Sequence, residues 1–377
     1  MVSKAAVLLA EGGVLSQTAT FTLPGHCGVR RDAPPRVSIL ENSFWDVYDS
    51  NTLVYDCIQT PGLDIALVCP KVLNLREVFD RARFFADGEE LTGRRWKLSR
   101  VHDVLTLRCR RPVSPLSIVI DGEAQSGPVN RADTETFRGL DTIVTKSRNN
   151  NLEWIQDWLR FHNRMHGING VVLIDNASDA YHHEQLAAAL DEVPGYRARV
   201  LIRAPLKFGP LERHCTKSSL AKFLQVAVLN IVRDRFLLSA RTMLNVDVDE
   251  LVIGPTGVSI AEATANGFIG FKTFAGQWRH ARPGKGPIRH ADHFLADPSE
   301  KPCPTKYCLR PGTFVGRREL RVHSVAHLDR RLFADRRFHF LHCRQISTSW
   351  KYDRSSTPSD NLVEMAEDRA LLAQAFS

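Results

Sequence analysis

The chain has 377 residues, 43% of them apolar and 24% charged, which excludes collagen-like, coiled-coil and wholly disordered chains. Its length predicts two domains rather than one or three. Fifty Lys and Arg against 42 Asp and Glu leave a net charge of +8, a surplus that suits an anionic partner: nucleic acid, a phosphorylated small molecule, or an anionic membrane or glycan.

No apolar run approaches the length of a transmembrane helix. The N-terminal apolar stretch is broken by Glu11, Gly12 and Gly13, so it is not read as a signal peptide. The eight cysteines (27, 57, 69, 109, 215, 303, 308 and 343) lack a framework spacing and read as reduced thiols of a cytoplasmic protein.

Residues 1–130 read as a β-rich domain. Strands are expected at 36–40, 52–55, 65–68, 104–108 and 116–120, with one helix over 73–85. Turn chemistry such as Pro61-Gly62 and Asp121-Gly122 separates them. The small, polar segment 122–133 is the expected linker. Beyond it, strand and helix alternate. Strands are expected at 142–146, 171–175, 197–202 and 243–246. Helices are expected at 152–165, at 183–190 and around 220–231, where residues 220, 223, 224, 227, 228 and 231 are all apolar. This order predicts an α/β domain over 131–377, built on a doubly wound, mostly parallel sheet. Ligands of such sheets bind beyond the carboxyl ends of the strands.

The string Asn245-Val-Asp-Val-Asp-Glu250 ends the last of these strands. In an extended segment residues i and i+2 face the same way, so Asp247 and Asp249 are expected to converge. Their repulsion calls for a cation, and oxygen ligands suit Mg²⁺ or Mn²⁺. Such an ion would neutralise a diphosphate leaving group. A solvated acidic turn is the plain alternative, but apolar runs on both sides bury the flanks. Lys146-Ser-Arg-Asn-Asn150 and Asp175-Asn-Ala-Ser-Asp179 follow two other strands. Asn and Asp often only cap such turns. Three polar turns in a row nevertheless suit a nucleotide-binding edge.

In order, Arg148-Asn149, Glu153-Trp154, His162, Gly167, Asp175-Asn176, Ser178, Gln225, Asn230 and Asp247-Val-Asp-Glu250 resemble the family-2-like glycosyltransferases of the GT-A fold. The resemblance spans residues 141–354. It implies sugar transfer from a nucleotide-diphosphate donor, with a UDP-sugar as first expectation, to a glycan or other acceptor hydroxyl in surface-glycan or polysaccharide synthesis. It further implies nucleotide-sugar contacts at Lys146, Arg148, Asn149, Asp175, Asn176, Asp247 and Lys306. Asp247, Asp249 and His342 are the implied ligands of Mn²⁺ or Mg²⁺, with Glu250 supporting the turn. His323 matches a weaker polar position. Asn150 and Cys343 depart from the family pattern, which has Glu and Tyr there.

His290, His293, Cys303 and Cys308 fit a zinc site poorly, because the cysteine spacing lies at the edge of the usual range. They read as ordinary loop residues. An inverting reaction needs a base. Asp292, Asp297 and Glu300 are weak candidates, each more simply a loop acid. Trp278 and Trp350 could stack on sugar rings or serve the core. Residues 301–354 hold 13 Lys and Arg against four Asp and Glu, and so carry the whole positive surplus. That segment is expected to clamp a diphosphate or anionic acceptor, with Arg336 and Arg337 contributing, or to touch the inner membrane surface. The competing reading is a non-catalytic polyanion or nucleic-acid binder that uses the same segment. It lacks a nucleic-acid-binding signature and gives Asp247 and Asp249 no role; no nucleic acid is expected. A nucleotidyltransferase would need a glycine-rich phosphate loop after the first α/β strand, and 146–151 has no glycine.

Overall fold

The computed structural model describes residues 13–282, 284, 286–348 and 361–377. The chain forms two compact units. One comprises Gln17–Thr134 and Ala204–Leu238. The other holds the described residues of Glu135–Arg203 and Ser239–Ser377, with those before Gln17. The expected boundary near residue 130 is close to the crossing at 134/135, but the chain also crosses at 16/17, 203/204 and 238/239. The helix expected around 220–231 lies at Phe223–Val232, in the unit that begins at Gln17.

That unit is β-rich. A five-stranded sheet and a four-stranded sheet carry most of its core. Three expectations fail here. Residues 36–40 form no strand; Ile39 makes only an isolated bridge to Cys215. The expected helix 73–85 is a short turn at Leu73–Leu75 and a helix at Arg76–Arg81, followed by a strand at Arg83–Ala86. The expected linker contains a strand, Glu123–Gly127, paired antiparallel with Leu116–Ile120. Asp121 and Gly122 both have positive φ, 48° and 89°, the geometry of a tight hairpin turn.

The other unit is mixed α/β. Its strands are β1 (Asp141–Ser147), β2 (Gly170–Asp175), β3 (Ala198–Arg203), β4 (Thr242–Asn245), β5 (Glu250–Ile253), β6 (Phe271–Ala281), β7 (Cys303–Leu309) and β8 (Ala334–Cys343). Its helices are α1 (Leu152–His166), α2 (His183–Asp191), α3 (Ile260–Ala265) and α4 (Ala366–Phe376). The sheet runs β3-β2-β1-β4-β7-β6. Its first four strands are parallel and β7 is antiparallel to both neighbours. β8 joins β6 in parallel and pairs antiparallel with β5. The β-branched interior of β1 and β2 is buried on both faces, as parallel strands require. Among the described residues no helix is long and apolar enough to cross a membrane.

Helix α1 has clear ends. The Asn151 side chain accepts a hydrogen bond from the Glu153 amide at 2.8 Å, and Gly167 closes the helix at φ 66°. Its buried face packs on the sheet through Ile155, Trp158, Leu159 and Phe161. His162 and His166 point to β5. His162 accepts from the Val252 amide through Nε2, while Nδ1 donates to the Trp158 carbonyl. His166 donates through Nε2 to the Val252 carbonyl and accepts from the Ile260 amide through Nδ1.

Candidate functional site

The strand order reverses at β1. Its successors β2 and β3 lie on one side and β4 lies on the other. Such a switch point leaves a crevice at the carboxyl ends of the two diverging strands. β1 ends at Ser147, with Arg148 next in the chain, and β4 leads through Val246 into Asp247.

Beyond β4 the chain alternates. Val246 and Val248 are buried in the core while Asp247 and Asp249 lie on the other face. Two bonds fix the turn from behind. His290, wholly buried, bonds the Val248 carbonyl at 2.8 Å, and the Cys343 amide donates to the Asp249 carbonyl at 2.7 Å. The Glu250 carboxylate accepts from the Asp247 amide at 2.9 Å. Glu250 thus supports the turn from inside it.

The two aspartates take different cationic partners. Asp247 meets the Lys306 ammonium at 2.6 Å, and Lys306 also reaches Glu250 at 3.0 Å. Asp249 meets His342 Nε2 at 2.9 Å. Register explains both pairs. Lys306 lies on β7 beside Tyr307, which pairs with Asn245, and His342 pairs with Glu250 across β8 and β5. Among the described residues, one group of three metal-ligand side chains has donor atoms within 4.8 Å of one another: Asp249, Glu250 and His342. Glu250 takes the place in that group that was expected for Asp247.

Burial shapes the charges. It penalises the charged form of Lys306, but Asp247 and Glu250 outweigh it and hold the ammonium above its ordinary pKa. Burial, with Asp247 and Asp249 nearby, pushes Glu250 up to about 7 despite Lys306 and His342. For His342 burial alone would lower the pKa. The charge and hydrogen bond of Asp249, joined by Cys303 and Glu250, push it up to about 10. His323 is pushed down to about 4, by burial and then by Lys306. The Trp278 ring stacks on His342 at 4.0 Å and 19°, and Arg344 lies 5.5 Å from the Trp278 ring centre.

The other two turns are tied to each other. Asn149, at φ 56°, donates through its side chain to Asp179 at 2.7 Å, accepts from the Asp179 and Ala180 amides, and donates through its backbone amide to the Ser178 hydroxyl. It is a brace between loops as well as an expected contact. Arg148 stays 38% exposed, 3.9 Å from Asp179. Asp175 accepts from the Ser178 amide at 3.2 Å. Burial would raise its carboxyl, but bonds from His183 and Ser178 hold it below the usual range. Asn176 is buried, its amide bonded to the Ser147 carbonyl, and Lys146 is half-buried at the end of β1.

Several expectations find other uses. Asp292 accepts from the Arg289 amide and Asp297 from Ser299, so both order their own turns. Glu300 bonds Arg344 and His280. His293 bonds the Arg289 carbonyl and the Gln345 amide, and all eight cysteines are free thiols. Trp350 lies outside the described residues. Arg336 and Arg337, expected in a clamp, lie near the start of β8. β8 runs antiparallel to β5 with Ile253 opposite His339 and Glu250 opposite His342. Arg337 sits five residues before His342, outside the β5–β8 ladder, and its guanidinium is paired with Asp335. Sequence reasoning missed Trp278 as the partner of His342, because their parallel pairing across 64 positions leaves no local signal.

Comparison with models of known protein families finds no match to this chain, and comparison with curated protein sequences finds none either.

Proposed function

We propose that the chain is a glycosyltransferase of the GT-A type, moving a sugar from a nucleotide-diphosphate donor to an acceptor hydroxyl. The observation that carries this reading is the Asp249–Glu250–His342 group at the carboxyl edge of β4, beside the polar turns that follow β1 and β2.

Two carboxylates and an imidazole are a donor set that fits Mn²⁺ or Mg²⁺. Glu250 commits Oε2 to Lys306 and the Asp247 amide, which leaves Oε1 toward His342. Asp249, His342 and that oxygen would hold the ion, which when bound would offset charge on the diphosphate. The protein's own groups supply the rest. Arg148 and Lys146 offer cations where the nucleotide would lie. Asn149 keeps the two turns in register. Lys306 holds Asp247 in place and adds positive charge beside the leaving group. Trp278, stacked on His342, fixes the imidazole plane.

The test is turnover of a panel of nucleotide sugars with Mn²⁺ or Mg²⁺. Wild type is expected to hydrolyse or transfer one of them, and Asp249→Ala to lose at least a hundredfold in kcat, on the order expected when a main electrostatic contact is removed. Melting shifts with uridine, guanosine and cytidine diphosphates would identify the nucleotide. If no nucleotide shifts the transition and no nucleotide sugar turns over, the reading fails.

A further inference from the structure

Two loops of the α/β unit present large apolar side chains to water. Gly267-Phe-Ile-Gly270 joins α3 to β6, and its Phe268 is fully exposed with Ile269 46% exposed. Facing it, the turn Arg330–Phe333 leaves Leu332 80% exposed, while Phe333 turns inward onto the Phe271 ring at 5.1 Å. An open groove of about 440 Å³ lies between them, continued by residues 334–337. Single exposed apolar residues are ordinary, whereas clustered ones mark an interaction surface.

The surroundings are basic. Residues 310–337 contain eight arginines against Glu319, Asp329 and Asp335. Each acid is already paired: Asp335 with Arg337 and Lys272, Asp329 with Arg331, Glu319 with Arg321. Arg336 is exposed and makes no ion pair among the described residues. A second exposed phenylalanine, Phe314, lies under Arg318 on the loop that starts at Arg310, whose amide donates to Gly270.

We propose that this surface docks the protein onto an anionic lipid bilayer. Phe268, Ile269 and Leu332 enter the boundary between headgroups and acyl chains, and the arginines stay at the level of the lipid phosphates. Anionic lipid supplies the charge that the three local acids cannot. A nucleic-acid partner would use flat aromatic platforms along a basic groove. Phe268 and Phe314 are exposed rings, but the aliphatic Ile269 and Leu332 on the same groove give no such platform and suit acyl chains. The surface is also separate from the acidic turn, since Ala334 in the groove pairs with Thr273 of β6 and His342 with Trp278, five positions or roughly 16 Å apart along β6. The inference therefore stands or falls independently of the proposed sugar transfer.

The experiment is co-sedimentation of the full chain with phosphatidylcholine vesicles, with and without phosphatidylglycerol. Binding is expected with the anionic vesicles, falling as salt rises. Arg331→Glu with Arg336→Glu should weaken it roughly tenfold or more, and Phe268→Ser with Leu332→Ser should weaken it at any salt. The control is Arg95→Glu with Lys97→Glu, an equal charge change on an exposed strand of the other unit, which should bind as wild type. All six side chains are exposed, and unchanged melting temperatures would show that the variants fold. Absence of vesicle binding by wild type overturns the proposal, as does an equal loss in the control. Binding of a single-stranded oligonucleotide that the same variants abolish, with vesicles ignored, would assign the surface to nucleic acid instead.

Discussion

At His342 the local charges win over burial. The imidazole rises from an ordinary 6.5 to about 10, so at neutral pH the metal-free protein holds an imidazolium against Asp249. A raised folded-state pKa sets the sign. The stabilisation is complete below about pH 6.5 and is lost as pH rises through about 10. The melting temperature of wild type, with chelator present, should therefore fall across that window, and that of His342→Gln should fall less. A divalent cation must displace this proton, so Mn²⁺ should bind more tightly as pH rises and release a proton on binding. Calorimetry in buffers of different ionisation enthalpy would count it; a count of zero in wild type would remove His342 from the ligands. The acidic turn after a strand is a local pattern, whereas His342 is expected beside Asp249 only because the family resemblance implies both as metal ligands. Lys306 could be anticipated as a polar contact only. Its burial between Asp247 and Glu250 depends on β7 lying next to β4, a fact of sheet order that no spacing encodes.

At the level of elements, α1 holds β5 through two neutral histidines. Burial pushes His162 down to about 3 and His166 down to about 4. Both accept a backbone amide and donate to a carbonyl, which requires the neutral ring. Replacing His166 with Phe strands the Val252 carbonyl and the Ile260 amide and should cost about 2–4 kcal/mol. Urea titration would measure it, and a cost under about 0.5 kcal/mol, as at a surface site, would show these bonds to be dispensable. Depressed folded-state pKa values also fix an acid limit. The contribution of these two histidines is full above about pH 6.5 and fades as pH falls toward 3 or 4. Helix α1, β1 to β4 and α2 were all readable, because periodicity and caps are local. The segment 122–133 was misread for an equally physical reason. Its small polar residues suit a linker, yet Asp121-Gly122 supplies the two positive φ values of a hairpin, and the strand after it borrows its pairing from Leu116–Ile120.

For the whole molecule, the order of units along the chain constrains how it can be cut. The Phe223–Val232 helix is in sequence flanked by strands of the α/β unit, and its apolar spacing suggested a sheet-covering helix there. The structure assigns it to the other unit, where Phe223 meets Tyr48 at 5.7 Å and Arg31 at 5.8 Å. Nearby, Arg235 forms a buried pair with Asp56 at 3.0 Å, and the Ser38 and Thr216 backbones are joined. A fragment beginning at residue 131 would lose every one of these partners. Nine of the ten helix residues are buried, and seven of them are Phe, Leu, Ile or Val. At about 1.5–3 kcal/mol for each such side chain, their exposure would forfeit on the order of 10–20 kcal/mol. That matches or exceeds the roughly 5–15 kcal/mol by which domains are stable. Arg235 would in addition lose Asp56, its partner in a buried ion pair, a further cost of about 3–5 kcal/mol. The fragment 131–377 is therefore expected to aggregate, or to bind an apolar dye and melt without a cooperative transition. Soluble expression with a sharp melt, and with nucleotide binding equal to the full chain, would show instead that residues 131–377 fold alone.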